Sequence, residues 1–382
     1  MVAQVRSGMS MRAVARAFHV SLLTVQRWVQ RAQTRRWDRV DWSDRPPIPQ
    51  LTSRTDAATE DFILQLRHEL KTQSALGEYG ARAIHRELMA RGQAPVPAVS
   101  TIGRILERRG ALDGQHRVRR PAPPRGWYLP PVAAGHAELD SFDIVEGLII
   151  QGGLEVEVLT GISLLGGLPA AWPGSPLTAR LVVDRLTEHW RQFGLPTYAQ
   201  FDNDTRFQGA HQHRDSIGRV MRLCLSLSIV PVFTPVQEPG FQAAVENFNG
   251  WWQSKVWHRF RHTSYPDLHE RSDAYLRARR HRAAGRIEAI PRRGFPAPWH
   301  LDLQAPLHGT IIFLRRTSEQ GAATLLGRRF DVDPTWHHRL VRCEVDLDAH
   351  HIRFYALRRR DPGSQPLLRE VNYTPPSRRF IE

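Results

Sequence analysis

The order of secondary-structure patterns between residues 135 and 265 constrains the fold of this 382-residue chain more than any other feature. Three strand patterns follow one another, in HAELDSFDIV, LEVEVLTGISLL and LPAAW. A helical pattern, a short strand pattern in PTYAQF, a further strand pattern and a second helical pattern come after them. Strands and helices in this order predict a mixed α/β core.

Three carboxylates stand out because each lies on a different element of this predicted core. Asp140 lies inside the first strand, where alternation puts it on one face with Glu138 and Phe142, an unusual position for a charge without a function. Asp202 lies at the end of a later strand, and Glu246 lies early in a helix. Acids from separate elements meet only if the fold brings them together, and the predicted order of elements does so. We therefore predict a catalytic site of Asp140, Asp202 and Glu246.

Carboxylates grouped in this way indicate a metal-dependent site. Phosphodiester transfer at neutral pH needs an activated oxygen nucleophile and neutralised charge on the scissile phosphate, and two Mg²⁺ ions about 4 Å apart supply both. Mg²⁺ prefers hard carboxylate oxygens, so a few acidic side chains suffice to bind it. The prediction is two Mg²⁺ or Mn²⁺ ions, with Asp140 bridging both and Asp202 and Glu246 each holding one.

The first 36 residues have the pattern of a helix-turn-helix. Apolar residues recur at helical spacing on both sides of His19, and Ser21 is a good N-cap for the second helix. His19 occupies a turn position where glycine is common. The predicted contacts of the second helix with the DNA major groove are Ser21, Thr24, Gln26, Arg27 and Arg31. A plain helical hairpin without a DNA-binding role is the alternative interpretation.

Residues 55–114 show a second pattern of the same kind. Ser100 is placed to cap a helix whose apolar face carries Ile102 and Ile105. The predicted DNA contacts of this second helix-turn-helix are Thr101, Arg104 and Arg108. In the core, Lys255 is predicted to contact a DNA phosphate.

Composition and periodicity divide the rest of the chain. Two proline-bearing polar segments are typical of linkers, and the second of them is strongly basic. The C-terminus alternates apolar and polar residues and carries turn signals, which predicts a small antiparallel β-barrel. The predicted parts are a helix-turn-helix at 1–36, a linker at 37–54, a second helix-turn-helix at 55–114, a basic linker at 115–134, the catalytic core at 135–265, a helical and linker segment at 266–300, and the barrel and tail at 301–382.

The charge of the chain indicates its partner. Lys and Arg number 53 against 38 acidic residues, which gives a formal net charge of +15. This surplus favours double-stranded DNA as a partner, and membrane binding is not expected because no apolar run approaches the ~20 residues of a membrane-spanning helix. A solvated basic surface is the competing interpretation. The two cysteines lie far apart, which excludes a cysteine-based zinc cluster and fits a cytoplasmic protein. With DNA as the favoured partner, we expect association with the bacterial nucleoid.

The motifs around the three carboxylates resemble those of the DDE transposase/integrase superfamily, in particular insertion-sequence transposases with a retroviral-integrase-like core. The resemblance rests on Asp140 in ELDSF, Asp202 in FDNDTRF and Glu246 in PVQEPGFQAAVENFNGWWQSKV. It implies an RNase H-like core between helix-turn-helix units and a small barrel. It also implies metal-dependent nicking at the 3′ ends of a mobile element, joining of those ends to target DNA, and a homodimer or larger assembly on DNA.

Two positions depart from the family's pattern, and other acids lie close in sequence. Asp204 stands where the family usually has glycine, and Asn247 stands where a basic residue commonly follows the glutamate. The nearby acids are interpreted as surface charges, any one of which can replace a ligand named above. These acids are Asp143, Asp204, Asp215 and Glu238.

Two other functions remain open at this point. A catalytically decayed or domesticated transposase would act as a sequence-specific DNA-binding protein, and the departures from the motif favour it. An RNase H-like nuclease would cut DNA without joining it. The tandem recognition units argue against the nuclease, because such an enzyme needs little reading of sequence.

Overall fold

The computed structural model describes residues 1–43, 55–112, 125–210, 213–238, 240–359, 361–376 and 380. Residues 44–54 of the first predicted linker and residues 115–124 of the second therefore lie outside the described residues. The other half of the second segment is not a linker, because it packs into an apolar cluster through Trp127, Leu129 and Val132. The chain divides into two units, residues 1–60 and residues 61–382, and each is described by itself below.

The first unit contains three short helices, α1 (Val2–Arg6), α2 (Met11–Ala17) and α3 (Leu22–Ala32). The two helices predicted on either side of His19 are present as α2 and α3, and the Ser21 hydroxyl accepts a hydrogen bond from the Thr24 amide at 3.1 Å, as expected of an N-cap. His19 has a φ of 51°, so a non-glycine residue adopts the left-handed conformation at this turn. Val14 and Val25 pack between the two helices.

The start of the predicted linker 37–54 packs against α3. A 3₁₀ turn spans Trp37–Arg39, and Trp37 and Trp42 stack with ring centroids 5.7 Å apart. Trp42 also stacks on Trp28 of α3, at 5.9 Å. These aromatic contacts order residues 37–43, which composition alone assigned to a linker.

Three helices precede the catalytic core. They are α4 (Ala57–Gln73), α5 (Ala81–Ala90) and α6 (Val99–Arg108). A cluster of buried aliphatic side chains joins them, and the predicted apolar face of α6 forms part of it. The members of this cluster are Ile63, Leu66, Ile84, Leu88, Ile102, Ile105 and Leu106.

Within the described residues, nine strands form one central sheet and two more form a hairpin. The strands of the sheet are β1 (Leu139–Ile149), β2 (Glu155–Ser163), β3 (Pro169–Gly174), β4 (Tyr198–Phe201), β5 (Val230–Phe233), β6 (Thr310–Arg316), β9 (Leu340–Asp346), β10 (His351–Ala356) and β11 (Leu367–Asn372). The hairpin consists of β7 (Ala322–Leu325) and β8 (Arg328–Asp331). The helices after α6 are α7 (Pro130–Ala133), α8 (Ala179–Phe193), α9 (Thr205–Gln208), α10 (Arg219–Ser226), α11 (Ala243–Trp252) and α12 (Tyr265–Glu288).

The order β3-β2-β1-β4-β5 forms the core of this sheet. The first three strands pair antiparallel, and β1, β4 and β5 pair in parallel. Helices cover both faces: α8 and α10 pack over one apolar cluster, while α11 and α12 pack over a second. This mixed sheet agrees with the RNase H-like core predicted from the order of elements.

The C-terminal strands do not form the separate small barrel predicted from the sequence. β6 pairs in parallel with β5, and β9, β10 and β11 then extend the same sheet in antiparallel pairs. Phenylalanines on neighbouring strands show why β6 joins the core: Phe201, Phe233 and Phe313 lie in a row, with ring centroids 6.0 and 5.3 Å apart. The alternation of apolar residues predicted strands correctly, but it carries no information about which edge a strand pairs with.

No helix among the described residues combines the length and the apolar character needed to cross a membrane.

Candidate active site

Strand β1 presents two aspartates to opposite sides of the sheet, because Asp140 and Asp143 are three residues apart. Asp140 is 1% exposed and forms a bidentate ion pair with Arg292, at 2.9 and 2.6 Å. The indole N–H of Trp190 in α8 donates a third hydrogen bond to it, at 3.1 Å. The unusual position of this charge is thus explained by a buried ion pair, and the structure does not bring Asp140 together with Asp202 and Glu246.

Asp143 lies on the other face of β1. In the parallel pair of β1 and β4, Ser141 is opposite Gln200, and continuing this register brings Asp143 level with Asp202 just beyond β4. The side-chain amide of Asn249 in α11 donates a hydrogen bond to Asp143 at 2.8 Å. Asn249 lies one helical turn after Glu246, so the same stretch of α11 contributes both side chains.

Asp202 and Glu246 occupy the positions predicted for them. Asp202 follows the last residue of β4, and one of its carboxylate oxygens accepts the Asp204 amide at 2.9 Å. Glu246 is exposed in the first turn of α11, where the helix dipole favours a negative charge.

The electrostatics connect these acids into one site. Burial raises the pKa of Asp143 to about 6, and the negative charges of Asp202 and Glu246 contribute to this rise. Burial also raises the pKa of Asp202, although the hydrogen bond from the Asp204 amide opposes the shift. A partly buried carboxylate whose pKa is raised further by neighbouring negative charges favours a cation or a proton beside it, and Asp143 is in this situation.

Asp204 has a structural role at the position where the superfamily that the motifs resemble usually has glycine. Its φ is −58°, so the turn does not need glycine's conformational freedom, and its side chain caps α9 by accepting the Arg206 amide at 2.7 Å. The Arg206 guanidinium forms ion pairs with Asp204, Glu146 and Glu157. Arg206 therefore offsets the acidic charge that surrounds Asp202.

The donor chemistry of Asp143, Asp202 and Glu246 fits a divalent cation, because all three offer carboxylate oxygens. Across the residues that the structure describes, no three acidic, histidine or cysteine side chains meet in a ready-made metal-binding cluster. The three acids therefore interact through their charges without forming a closed ligand set.

The predicted DNA contacts on α3 and α6 differ in their exposure and in their partners within the protein. Gln26, Arg27 and Arg104 are exposed on α3 and α6, as a DNA-binding surface requires. Arg31 instead pairs with Asp41 at 2.9 Å. The remaining predicted contacts on these helices are Ser21, whose hydroxyl caps α3, and Thr24, Thr101 and Arg108, of which Arg108 is exposed.

Lys255 is engaged within the protein. Helix α11 continues as a π-helical turn, Gln253–Trp257, and the Lys255 ammonium donates to the Gly77 carbonyl at 3.1 Å and lies over the Tyr79 ring. Arg259 donates to carbonyls at the end of α4, including Ser74 at 2.6 Å. Both side chains attach the loop after α4 to the core. The Lys255 ammonium is therefore engaged within the protein, and its contact with a DNA phosphate stays a prediction.

Comparisons with known proteins add the following. No protein-family model matches the chain, and no curated protein sequence matches it. Among solved structures, the chain is similar to a chain of the simian T-cell lymphotropic virus intasome in complex with PP2A regulatory subunit B56 gamma, with 14% identity, a TM-score of 0.35, and coverage of 72% of this chain and 88% of that one. It is also similar to the catalytic core domain of BIV integrase, with 16% identity, a TM-score of 0.28, and coverage of 36% and 80%.

A third similar structure is the HTLV-2 integrase catalytic core domain in complex with magnesium, in its dimeric form. The identity is 12%, the TM-score is 0.28, and the match covers 41% of this chain and 87% of that one.

Two residues of the site were not assigned from the sequence. Asp143 was interpreted as a surface charge that can replace a ligand, and its position opposite Asp202 follows only from the register of β1 and β4. Asn249 carried a usable signal, since a position three residues after Glu246 lies on the same helical face.

Proposed function

We propose that this chain is a DNA transposase of the integrase type, with a metal site formed by Asp143, Asp202 and Glu246. The observation that carries the proposal is the convergence of these three acids. They come from β1, from the end of β4 and from the first turn of α11, on one face of the sheet, and two of them raise the pKa of the third. Asp143 thus replaces the Asp140 of the sequence-based assignment.

Each side chain has a distinct task in this proposal. A bound divalent cation would neutralise charge on the scissile phosphate and activate the attacking oxygen. Asp143 and Asp202 lie on or beside paired strands, which fixes the separation of their carboxylates. Glu246 is exposed on a helix, so it can adjust to DNA. Asn249 orients the Asp143 carboxylate by donating a hydrogen bond to it.

The DNA would be held by the basic helices outside the core. The exposed polar face of α3, with Gln26 and Arg27, and the exposed Arg104 of α6 are proposed to read two segments of an element end. The net charge of +15 supplies phosphate attraction that weakens with salt. Joining two element ends to one target requires at least two active sites, so we propose a homodimer or a larger assembly.

The test is a cleavage and joining assay. The full chain is incubated with Mg²⁺ or Mn²⁺ and a pool of end-labelled duplexes drawn from the DNA that flanks its gene, and the products are separated on a denaturing gel. The proposal predicts metal-dependent nicks and longer joined products, both absent with Asp143→Asn and with Asp202→Asn. Arg293→Lys, at an arginine whose guanidinium donates to the Pro196 and Ser228 carbonyls, is the matched control and retains both products.

Two outcomes would support other functions. Tight binding of a duplex without cleavage in either metal would contradict the enzyme and support a DNA-binding regulator, which the lack of a ready-made ligand cluster among the described residues also favours. Nicks without any joined product would support a nuclease built on the same core.

A further inference from the structure

The segment that leads from β5 to α11, described at residues 234–238 and 240–242, is held by arginines from the C-terminal strands. Arg315 and Arg316 end strand β6, and Arg359 follows β10. Arg315 donates to the Thr234 carbonyl at 3.1 Å, while Arg316 and Arg359 pair with Glu238 at 2.5 and 2.9 Å. We call these three side chains the arginine brace.

Arg315 connects the ends of two core strands. Its guanidinium donates to the Thr234 carbonyl, just after β5, and to the side-chain oxygen of Asn203 at 3.0 Å, just after Asp202. Asn203 in turn donates to the same Thr234 carbonyl at 2.8 Å. One side chain from β6 therefore fixes the turn that carries Asp202 against the beginning of the segment that leads to Glu246.

The acceptors of Arg315 are unusual for an arginine. Within the described part of the chain they are all neutral oxygens. Besides those of Thr234 and Asn203, they are the carbonyl oxygens of Leu314 and Thr324, at 2.9 and 3.2 Å. Burial lowers the pKa of Arg315 to about 10, which leaves it charged at neutral pH. A planar fork with donors in fixed directions suits this set of acceptors, and a lysine ammonium cannot reproduce it.

The contacts continue to the other two acids. The Thr234 hydroxyl lies 3.4 Å from the side-chain oxygen of Gln242, and the Gln242 amide donates to the Phe142 carbonyl at 3.2 Å. Phe142 directly precedes Asp143. The Gln242 carbonyl accepts the Glu246 amide at 2.9 Å, so Gln242 begins the helix that carries this acid.

We propose that the arginine brace positions the three carboxylates for cation binding, with Arg315 as the positioning residue. The inference rests on the proposed function, since it assumes that Asp143, Asp202 and Glu246 bind a divalent cation. It assigns the C-terminal strands a role in the active site, in addition to their place in the sheet. Arg315 touches neither the cation nor DNA in this scheme and acts through Asn203 and Thr234.

The test compares Arg315→Lys with Arg293→Lys in the full chain. Arg293 also donates to neutral backbone carbonyls, among them Ser228 at 2.7 Å, so both changes replace a guanidinium that has the same kind of acceptors. Mn²⁺ affinity is measured by titration calorimetry, stability by urea unfolding, and local opening by hydrogen exchange of peptides covering residues 230–250.

We expect Arg315→Lys to weaken Mn²⁺ binding by about 10-fold or more, the usual effect of removing a side chain that orients metal ligands. Exchange should accelerate in residues 230–250 at the same time. Arg293→Lys, at an exposed residue, should keep the wild-type affinity. If Arg315→Lys does not fold, Glu238→Gln tests the second anchor of the brace, with weaker Mn²⁺ binding again expected.

The failures can be told apart. Wild-type protein whose Mn²⁺ binding does not depend on Asp143 would overturn the proposed function, and the inference with it. Asp143-dependent binding that Arg315→Lys leaves unchanged would overturn the inference alone. Equal weakening by Arg315→Lys and Arg293→Lys would also overturn it, because the effect would then be a general loosening of the fold.

Discussion

The isosteric variants Asp140→Asn and Asp143→Asn should change stability in opposite directions. Asp140 and Arg292 form a buried pair, with the Arg292 side chain 8% exposed. Removing one partner leaves the other charge buried without compensation, which costs about 3–5 kcal/mol. For a domain of this size, such a loss lowers the thermal midpoint by on the order of 10 °C.

Asp143→Asn should instead stabilise the protein at alkaline pH. The pKa of Asp143 rises from 3.8 to about 6, which corresponds to at most about 3 kcal/mol, at ~1.4 kcal/mol per pKa unit. Because Asp143 is only partly buried, we expect a gain of about 1–2 kcal/mol at pH 8. A carboxyl group whose pKa is raised by folding destabilises the folded protein as pH rises from about 4 to about 6. The stability gained by Asp143→Asn should therefore vanish below pH 4.

The assay is urea unfolding of both variants at pH 8 and pH 4, without divalent cations. Asp184→Asn on the exposed side of α8 is the control, with a change within about 0.5 kcal/mol. The reasoning is refuted if Asp140→Asn is neutral, or if Asp143→Asn destabilises the protein as strongly as Asp140→Asn does.

Three further predictions follow from the same contacts. Mn²⁺ should raise the thermal midpoint of the wild type but not of Asp143→Asn. The rise should be smaller at pH 5 than at pH 8, because protons then compete with Mn²⁺ for Asp143. Differential scanning fluorimetry measures the midpoints, and an equal rise in both proteins would contradict the prediction. Arg206→Gln should cost about 1–3 kcal/mol at pH 8, because it removes the guanidinium that pairs with Asp204 and Glu157. Urea unfolding measures this loss, and a change within about 0.5 kcal/mol would contradict a stabilising role of these ion pairs. Arg27→Ala and Arg104→Ala should each weaken DNA binding. Each should also reduce by about one the slope of the logarithm of the binding constant against the logarithm of salt concentration. Fluorescence anisotropy at several salt concentrations measures both, and unchanged slopes would exclude phosphate contacts at these positions.

The core of the fold could be predicted from local patterns. Alternating apolar residues identified strands β1 and β2, and helical spacing identified α8 and α11. Ser21 was recognised as a cap from its residue type and position alone. These features depend on neighbours within a few residues, which is why a single sequence reveals them.

The pairing of the C-terminal strands could not be predicted in the same way. Whether β6 closes a barrel or extends the core depends on an edge of β5 far away in sequence. The row of phenylalanines that ends with Phe313 distinguishes the two arrangements only once the strands are side by side.

The assignment of Asp140 shows a similar limit. Alternation put Asp140 on one face of β1 with Glu138 and Phe142, but it did not tell which face holds the site. That choice depends on Arg292, which lies 152 residues away and neutralises Asp140, and on Asn249, which approaches Asp143. Contacts over such distances leave no periodic signal in the sequence.

The most direct test of the central claim is to locate a bound cation. Crystals of the full chain soaked in Mn²⁺ would be measured at the manganese absorption edge, and the anomalous peaks mapped. The account predicts a peak between Asp143 and Asp202, with Glu246 on the same side of the sheet. Peaks beside Asp140 in place of Arg292, or no peak near Asp143 at saturating Mn²⁺, would contradict it.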